Sequence, residues 1–349
     1  MGFFTESERE QLRIESMILH VVSEEEFDPA PAQVVQHASF FLSRILDTDV
    51  APVYQFKEVS RSRDCLQNMA LGVTPFEVGA QDLSREFSRE HDTTTRDGAF
   101  FIFELRTDED DVRIYSMIKY DYREAIEQSE NDGGETRLRR IINAFIDDKK
   151  AIQKAALIRI VGGEADELVA TRDRTKPAPE IADYFAKFLD VKRNSTDDDL
   201  NRRMVDALRK TFSECKELLP RQDVAAALRQ AKAILRDRQR IDEEAIVDAV
   251  IAAAGHPENE ETQGLLRKRT LQKLRTKRLT GLEFRPDRGV LRQPPMRKIR
   301  TTEGVTVLYP DEANAVIVRR VPNVAGPGET ITITTDQVVE DTVVADRAR

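Results

Sequence analysis

The period of the hydrophobic pattern changes near Lys176, and that change sets the fold class. Up to Arg174 apolar residues come in short runs and alternations bounded by turn residues; beyond it they recur at helical spacing. After Asp97-Gly98, AFFIFEL is a continuous apolar run of strand length. The acidic link TDEDD follows, then VRIYSMIKY, where Val112, Ile114, Ser116 and Ile118 alternate with Arg113, Tyr115, Met117 and Lys119. This predicts an antiparallel hairpin with one deeply buried strand. Residues 12–22 read as a strand and 34–46 as a helix. Residues 155–161 and 167–172 flank Gly162-Gly163 as a second hairpin, and ENDGGET reads as a loop.

In the second half, Ile181, Tyr184, Phe185, Phe188 and Leu189 fall at i, i+3, i+4, i+7 and i+8, an amphipathic helix introduced by Pro177 and Pro179. Thr196 with Asp197 to Asp199 caps the next helix, whose stripe is Leu200, Met204, Leu208, Phe212, Cys215 and Leu219. Pro220 ends it; Val224, Ala227, Leu228, Ala231, Ile234 and Leu235 mark a third helix. Asp242 caps a fourth, lined by Ile246, Val247, Val250 and Ile251 and stopped by Gly255. The C-terminal stretches VTVLY, AVIVRRV and TITIT read as strands, and the last dozen residues as frayed. Gly281, Pro286, Gly289, Pro294 and Pro295 predict a linker before them.

The 349 residues carry a formal charge of −9, distributed unevenly. Between Arg267 and Arg300 stand Arg267, Lys268, Arg269, Lys273, Arg275, Lys277, Arg278, Arg285, Arg288, Arg292, Arg297, Lys298 and Arg300, opposed only by Glu283 and Asp287. That segment is +11, leaving −20 for the rest. A local excess of this size holds a polyanion by counterion release, with little sequence preference and a steep salt dependence. The same excess equally serves to neutralise the acidic body, within one chain or across a dimer; both readings stand. In LLRKRTLQKLRTKRL the leucines scatter around the helical wheel, which predicts a partly exposed helix or an arm that orders on a partner.

Several chemistries have no sequence support. No run of about 18 apolar residues exists for a membrane span, and the N-terminus lacks a basic stretch followed by an apolar one. The two cysteines, Cys65 and Cys215, have no metal-site spacing, so the cytoplasm is the expected compartment. Glycine-rich phosphate loops and HExxH are missing, and the histidines share no common spacing. His20 and His37 read as core or boundary residues, Asp108 to Asp111 as a solvated turn, and Phe100, Phe101 and Phe103 as core. No enzyme activity, cofactor or metal is expected.

Five stretches carry a family resemblance: RIESMILHVV, DGAFFIFEL with VRIYSMIKY, AIQKAALIRI, APEIADYFAKFLDV and TTEGVTVLY. In order and in kind they resemble the bacterial nucleoid-associated family of the NdpA/YejK type, from about residue 12 to 335. The family's aromatic helix commonly continues with Gly after Phe-Leu, where this chain has Asp190 after Phe188-Leu189. The resemblance implies a cytoplasmic protein of the bacterial nucleoid that binds DNA and has no assigned catalysis. It transfers no binding residues one by one.

The expected architecture is α+β: an N-terminal mixed domain with antiparallel hairpins (1–175), a helical domain ending in the basic segment (176–280), and a linker with a small C-terminal β unit (281–349). The expected function is largely sequence-independent binding of double-stranded DNA. The contacts to phosphate are assigned to Arg267, Lys268, Arg269, Lys273, Arg275, Lys277, Arg278, Arg292, Arg297, Lys298 and Arg300. A homodimer is the expected assembly, with proteins of the same operon or complex as further partners. The alternatives are an assembly or scaffold protein, and an accessory, nuclease-like protein in a DNA-linked defence pathway.

Overall fold

The computed structural model describes residues 2–22, 26–90, 98–121, 123–130, 136–144, 148–323, 327–340 and 342. The first part of the chain runs α1 (Glu6–Gln11), β1 (Arg13–Val22), α2 (Ala38–Leu46), β2 (Tyr54–Phe56), α3 (Arg61–Ala70) and α4 (Phe76–Glu90). It continues with β3 (Gly98–Arg106), β4 (Val112–Tyr120), β5 (Arg123–Glu130), β6 (Thr136–Ala144), β7 (Ile152–Val161), β8 (Glu164–Ala165) and β9 (Leu168–Asp173). The helical part is α5 (Asp183–Phe188), β10 (Val191–Arg193), α6 (Asp197–Glu214), α7 (Val224–Arg236), α8 (Glu243–Ala253), α9 (Glu260–Thr276) and α10 (Arg288–Arg292). Two hairpins close it: β11 (Met296–Arg300) with β12 (Thr306–Pro310), and β13 (Val318–Pro322) with β14 (Glu329–Ile333). The architecture is α+β.

An antiparallel sheet in the order β1-β3-β4-β7-β9-β2-β10, with β8 folded back on β7, forms the centre. Its middle strands are apolar on both faces because both faces are covered. On one side Phe100, Ile102, Tyr115, Met117 and Ile158 pack under α3 to α5, where Phe87 stacks on Phe100 with ring centroids 4.0 Å apart. On the other, Phe101, Phe103, Leu105, Ile114 and Leu157 meet Phe3, Phe4 and α2, with Phe41 5.2 Å from Phe101. The hairpin expected to have one buried strand therefore has two: β4 is buried along nearly its whole length, and its Tyr115, Met117 and Lys119 are as buried as its Val112, Ile114 and Ile118.

Other expectations are adjusted by particular residues. The helix expected over 34–46 begins only at Ala38, because His37 stands in the left-handed region (φ 53°) and is exposed rather than in an apolar setting. The aromatic helix shrinks to α5, after which Val191–Arg193 pairs with β2 as an edge strand. Gly162 and Gly163 take positive φ at the β7–β8 turn, and a side chain at Gly163 would meet Leu71. The stretch read as a linker is folded: Leu282, Phe284, Val290 and Leu291 are buried, and Phe284 bridges Ile241. Hairpin β5–β6 and strand β2 carry little apolar alternation and went unread. Asp97, His91, most of the ENDGGET loop and most of the last dozen residues lie outside the described residues.

Where the expectations rest on caps and stripes, they hold. Thr196 and Asp199 form a reciprocal capping box, and Leu200, Met204, Leu208, Phe212, Cys215 and Leu219 are all buried. Asp242 accepts from the Ala245 amide at 2.8 Å, and Gly255 (φ 82°) follows the helix. Between the paired strands β7 and β9, buried Lys154 donates to Asp173 at 2.5 Å; Asp173 also accepts from the Thr175 amide and the Ala182 amide, each at 2.8 Å. His20 accepts from the Ala30 amide at 3.1 Å through Nε2 and lies 4.9 Å from the Phe27 ring.

Candidate nucleic-acid interface

Helix α9 carries most of the basic segment. Asn259 caps it by accepting from the Glu261 amide at 2.8 Å, with Glu260 and Glu261 in the first turn and Lys273 and Arg275 in the last, as the helix dipole favours. The leucine scatter hides a narrow buried stripe of Leu266, Thr270 and Leu274 at intervals of four. Thr270 completes it because its hydroxyl donates back to the Leu266 carbonyl at 2.7 Å, so burying it leaves no bare polar group. The stripe seats α9 against α6 and α8, and the helix is folded in the chain itself.

Packed this way, the cations divide. Arg267 pairs with Glu244 of α8, Lys273 with Glu214 and Lys277 with Asp206, both of α6, and Arg275 with Glu6 of α1. Beyond α9, Arg297 is held by Asp311, which also binds Arg229, and lies 3.4 Å from Asp223. Among the described residues, Lys268, Arg269, Arg278, Arg292, Lys298 and Arg300 make no ion pair, and all six are exposed. Arg269 touches only Gln272, at 3.4 Å. Lys298 and Arg300 share the exposed face of β11 with Met296, since alternate residues of a strand point the same way.

A second concentration of charge was not foreseen. An open cleft of about 1000 Å³ lies between α6, the turn 216–223, α7 and β11. Arg297 and Lys298 line it, joined by Arg202, Arg209, Lys216 and Arg221, and by Lys232 from α7. Among the described residues, Asp206 and Asp223 are the acidic ones that line it. The signal was present in the sequence: Arg202 and Arg209 stand seven residues apart on the polar face of α6, Lys216 follows at the same interval just past its end, and Lys232 interrupts the apolar stripe of α7 between Ala231 and Leu235. The α9 cations do not line this cleft; Lys277 reaches its wall through Asp206.

A second group of acidic residues does not line this cleft. Asp242, Glu243, Glu244 and Glu283 border a smaller hollow together with Asp173 and Glu180, and burial there pushes the Glu243 carboxyl up. No group of three metal-ligating side chains occurs among the described residues, and no helix there is long and apolar enough to cross a membrane.

A protein-family model described as nucleoid-associated protein YejK matches residues 18–338. A comparison with curated proteins finds no match.

Proposed function

Because the chain belongs to the nucleoid-associated protein YejK family, we propose that it binds duplex DNA directly through contacts to phosphate. A nucleoid-associated role comes with the family; the mode of contact is our reading. The observation that carries it is the set of six exposed cations without a carboxylate, Lys268, Arg269, Arg278, Arg292, Lys298 and Arg300. Cations already neutralised gain little from a phosphate, whereas exposed free ones release counterions on contact. The helical unit bears the DNA and the sheet unit to residue 175 serves as its scaffold. The five paired residues, Arg267, Lys273, Arg275, Lys277 and Arg297, act as a reserve that exchanges carboxylate for phosphate.

The five internal pairs also favour a second reading, in which the basic segment chiefly holds the chain, or a homodimer, together. Retention of a duplex on the full chain, with K268A/R269A/R278A against wild type, separates the two. The DNA reading expects retention to drop more than tenfold at 100 mM salt. Equal retention with a salt-sensitive mass in light scattering would favour assembly.

A further inference from the structure

The cleft between α6, α7 and β11 contains a charge that the packing of the chain does not call for. Lys232 is 4% exposed, and its ammonium donates to the Gln293 carbonyl. Among the described residues no carboxylate lies within ion-pair distance of it, and burial pushes its pKa down with no acid beside it to offset the effect. The contrast is Lys154, equally buried but matched with Asp173. A buried ammonium without a counter-charge is unfavourable, and an apolar residue at this place in the α7 stripe would pack as well. Lys232 lines the cleft, so the missing charge has a place to sit.

The surroundings specify that charge. Arg221 and Lys298 line the same cleft and make no ion pair among the described residues, whereas Arg202 on its wall is already paired with Asp198 of its own helix at 2.8 Å. Asp206 is taken up by Lys277 and Arg209, and Asp223 by the α7 amides and Arg297. What remains is a surplus of donors converging on an open volume of about 1000 Å³, large enough for a nucleotide-sized group. Val205, Leu228, Val290 and Met296 add an apolar wall. A phosphoryl group, with several acceptor oxygens and more than one negative charge, suits such a donor set better than a carboxylate does.

We propose that this cleft is a phosphoryl-binding site, with Lys232 as its buried ammonium and Arg221 and Lys298 as its outer cations. The assignment rests on the cleft and does not depend on the α9 reading. Two sources offer the same chemistry, a backbone phosphate of DNA and a free phosphorylated small molecule.

Calorimetric titration of the full chain with inorganic pyrophosphate, and separately with succinate, tests it. Pyrophosphate is expected to bind at least tenfold more tightly than succinate. K232M is expected to lose at least tenfold in pyrophosphate affinity without a fall in melting temperature. A225W, which fills the cleft without changing its charge, is expected to lose the same binding and guards against a folding defect in the first variant. K268A/R269A/R278A lies outside the cleft and should bind pyrophosphate as wild type does, whatever happens to DNA. Displacement of pyrophosphate by a short duplex identifies the strand as the source, and independent binding of the two identifies a small molecule. Absence of pyrophosphate binding, equal succinate affinity, or undiminished binding by K232M with A225W overturns the assignment.

Discussion

Arg267 of α9 forks onto Glu244 of α8 through two N–H···O bonds of 2.9 and 2.7 Å, tying down a cation on the helix that concentrates the chain's positive charge. Both side chains are exposed, so solvent screens the pair, which adds little to stability and opens readily. This is the local form of the general arrangement: a strongly basic segment that is half neutralised by its own acidic body.

Releasing that pair should strengthen DNA binding. E244Q is expected to raise duplex affinity several-fold at low salt and steepen the salt slope by about 1, because one more cation meets phosphate. Its melting temperature should stay close to that of wild type. Filter binding over a salt series and a thermal melt check both outcomes.

The buried Lys154–Asp173 pair behaves oppositely. K154A leaves a carboxylate buried with only neutral donors and is expected to cost about 3–5 kcal/mol in urea unfolding. Burial pushes the Asp173 carboxyl up, but donors from Lys154, Thr175 and the Ala182 amide outweigh it and hold it below its ordinary value of 3.8. A depressed folded value stabilises above 3.8, and the contribution is lost as pH falls through the folded value. The gap between wild type and K154A should therefore narrow as pH drops below 3.8.

What could be read in advance followed from residues whose role is local. The Thr196 box, the Asp242 cap and the stripe from Leu200 to Leu219 announce themselves by side-chain type and spacing, and all three stand in the structure. Strands β2 and β10 did not, because three-residue strands owe their existence to partners far along the chain. The α9 stripe was hidden by Thr270, a polar residue that satisfies itself against the turn before it. For the candidate site, charge counting located the basic segment but not which cations keep their charge, since the carboxylates that pair with them lie 14 to 269 residues away. The cleft was missed for a similar reason: its cations come from four separate elements.

His20 makes a second acid-sensitive point. Burial lowers its pKa to about 4, and Nε2 accepts from the Ala30 amide, which requires the neutral ring. A folded value below the ordinary 6.5 means that protonation favours unfolding, so stability should decline as pH falls from 6.5 toward 4. H20Q is expected to flatten that decline, as followed by urea midpoints at successive pH values.

The capping box at Thr196 offers a purely structural control. T196A removes the acceptor for the Asp199 amide and is expected to cost about 1 kcal/mol, with DNA affinity unchanged.

The most direct measurement is the slope of log K against log salt for duplex binding, compared across wild type and two alanine sets. One set replaces the unpaired Lys268, Arg269, Arg278, Arg292, Lys298 and Arg300, the other the paired Arg267, Lys273, Arg275, Lys277 and Arg297. About six phosphate contacts give a wild-type slope of roughly −5, which should fall toward zero in the first set and change less in the second. Equal slopes in wild type and the unpaired set would contradict the account.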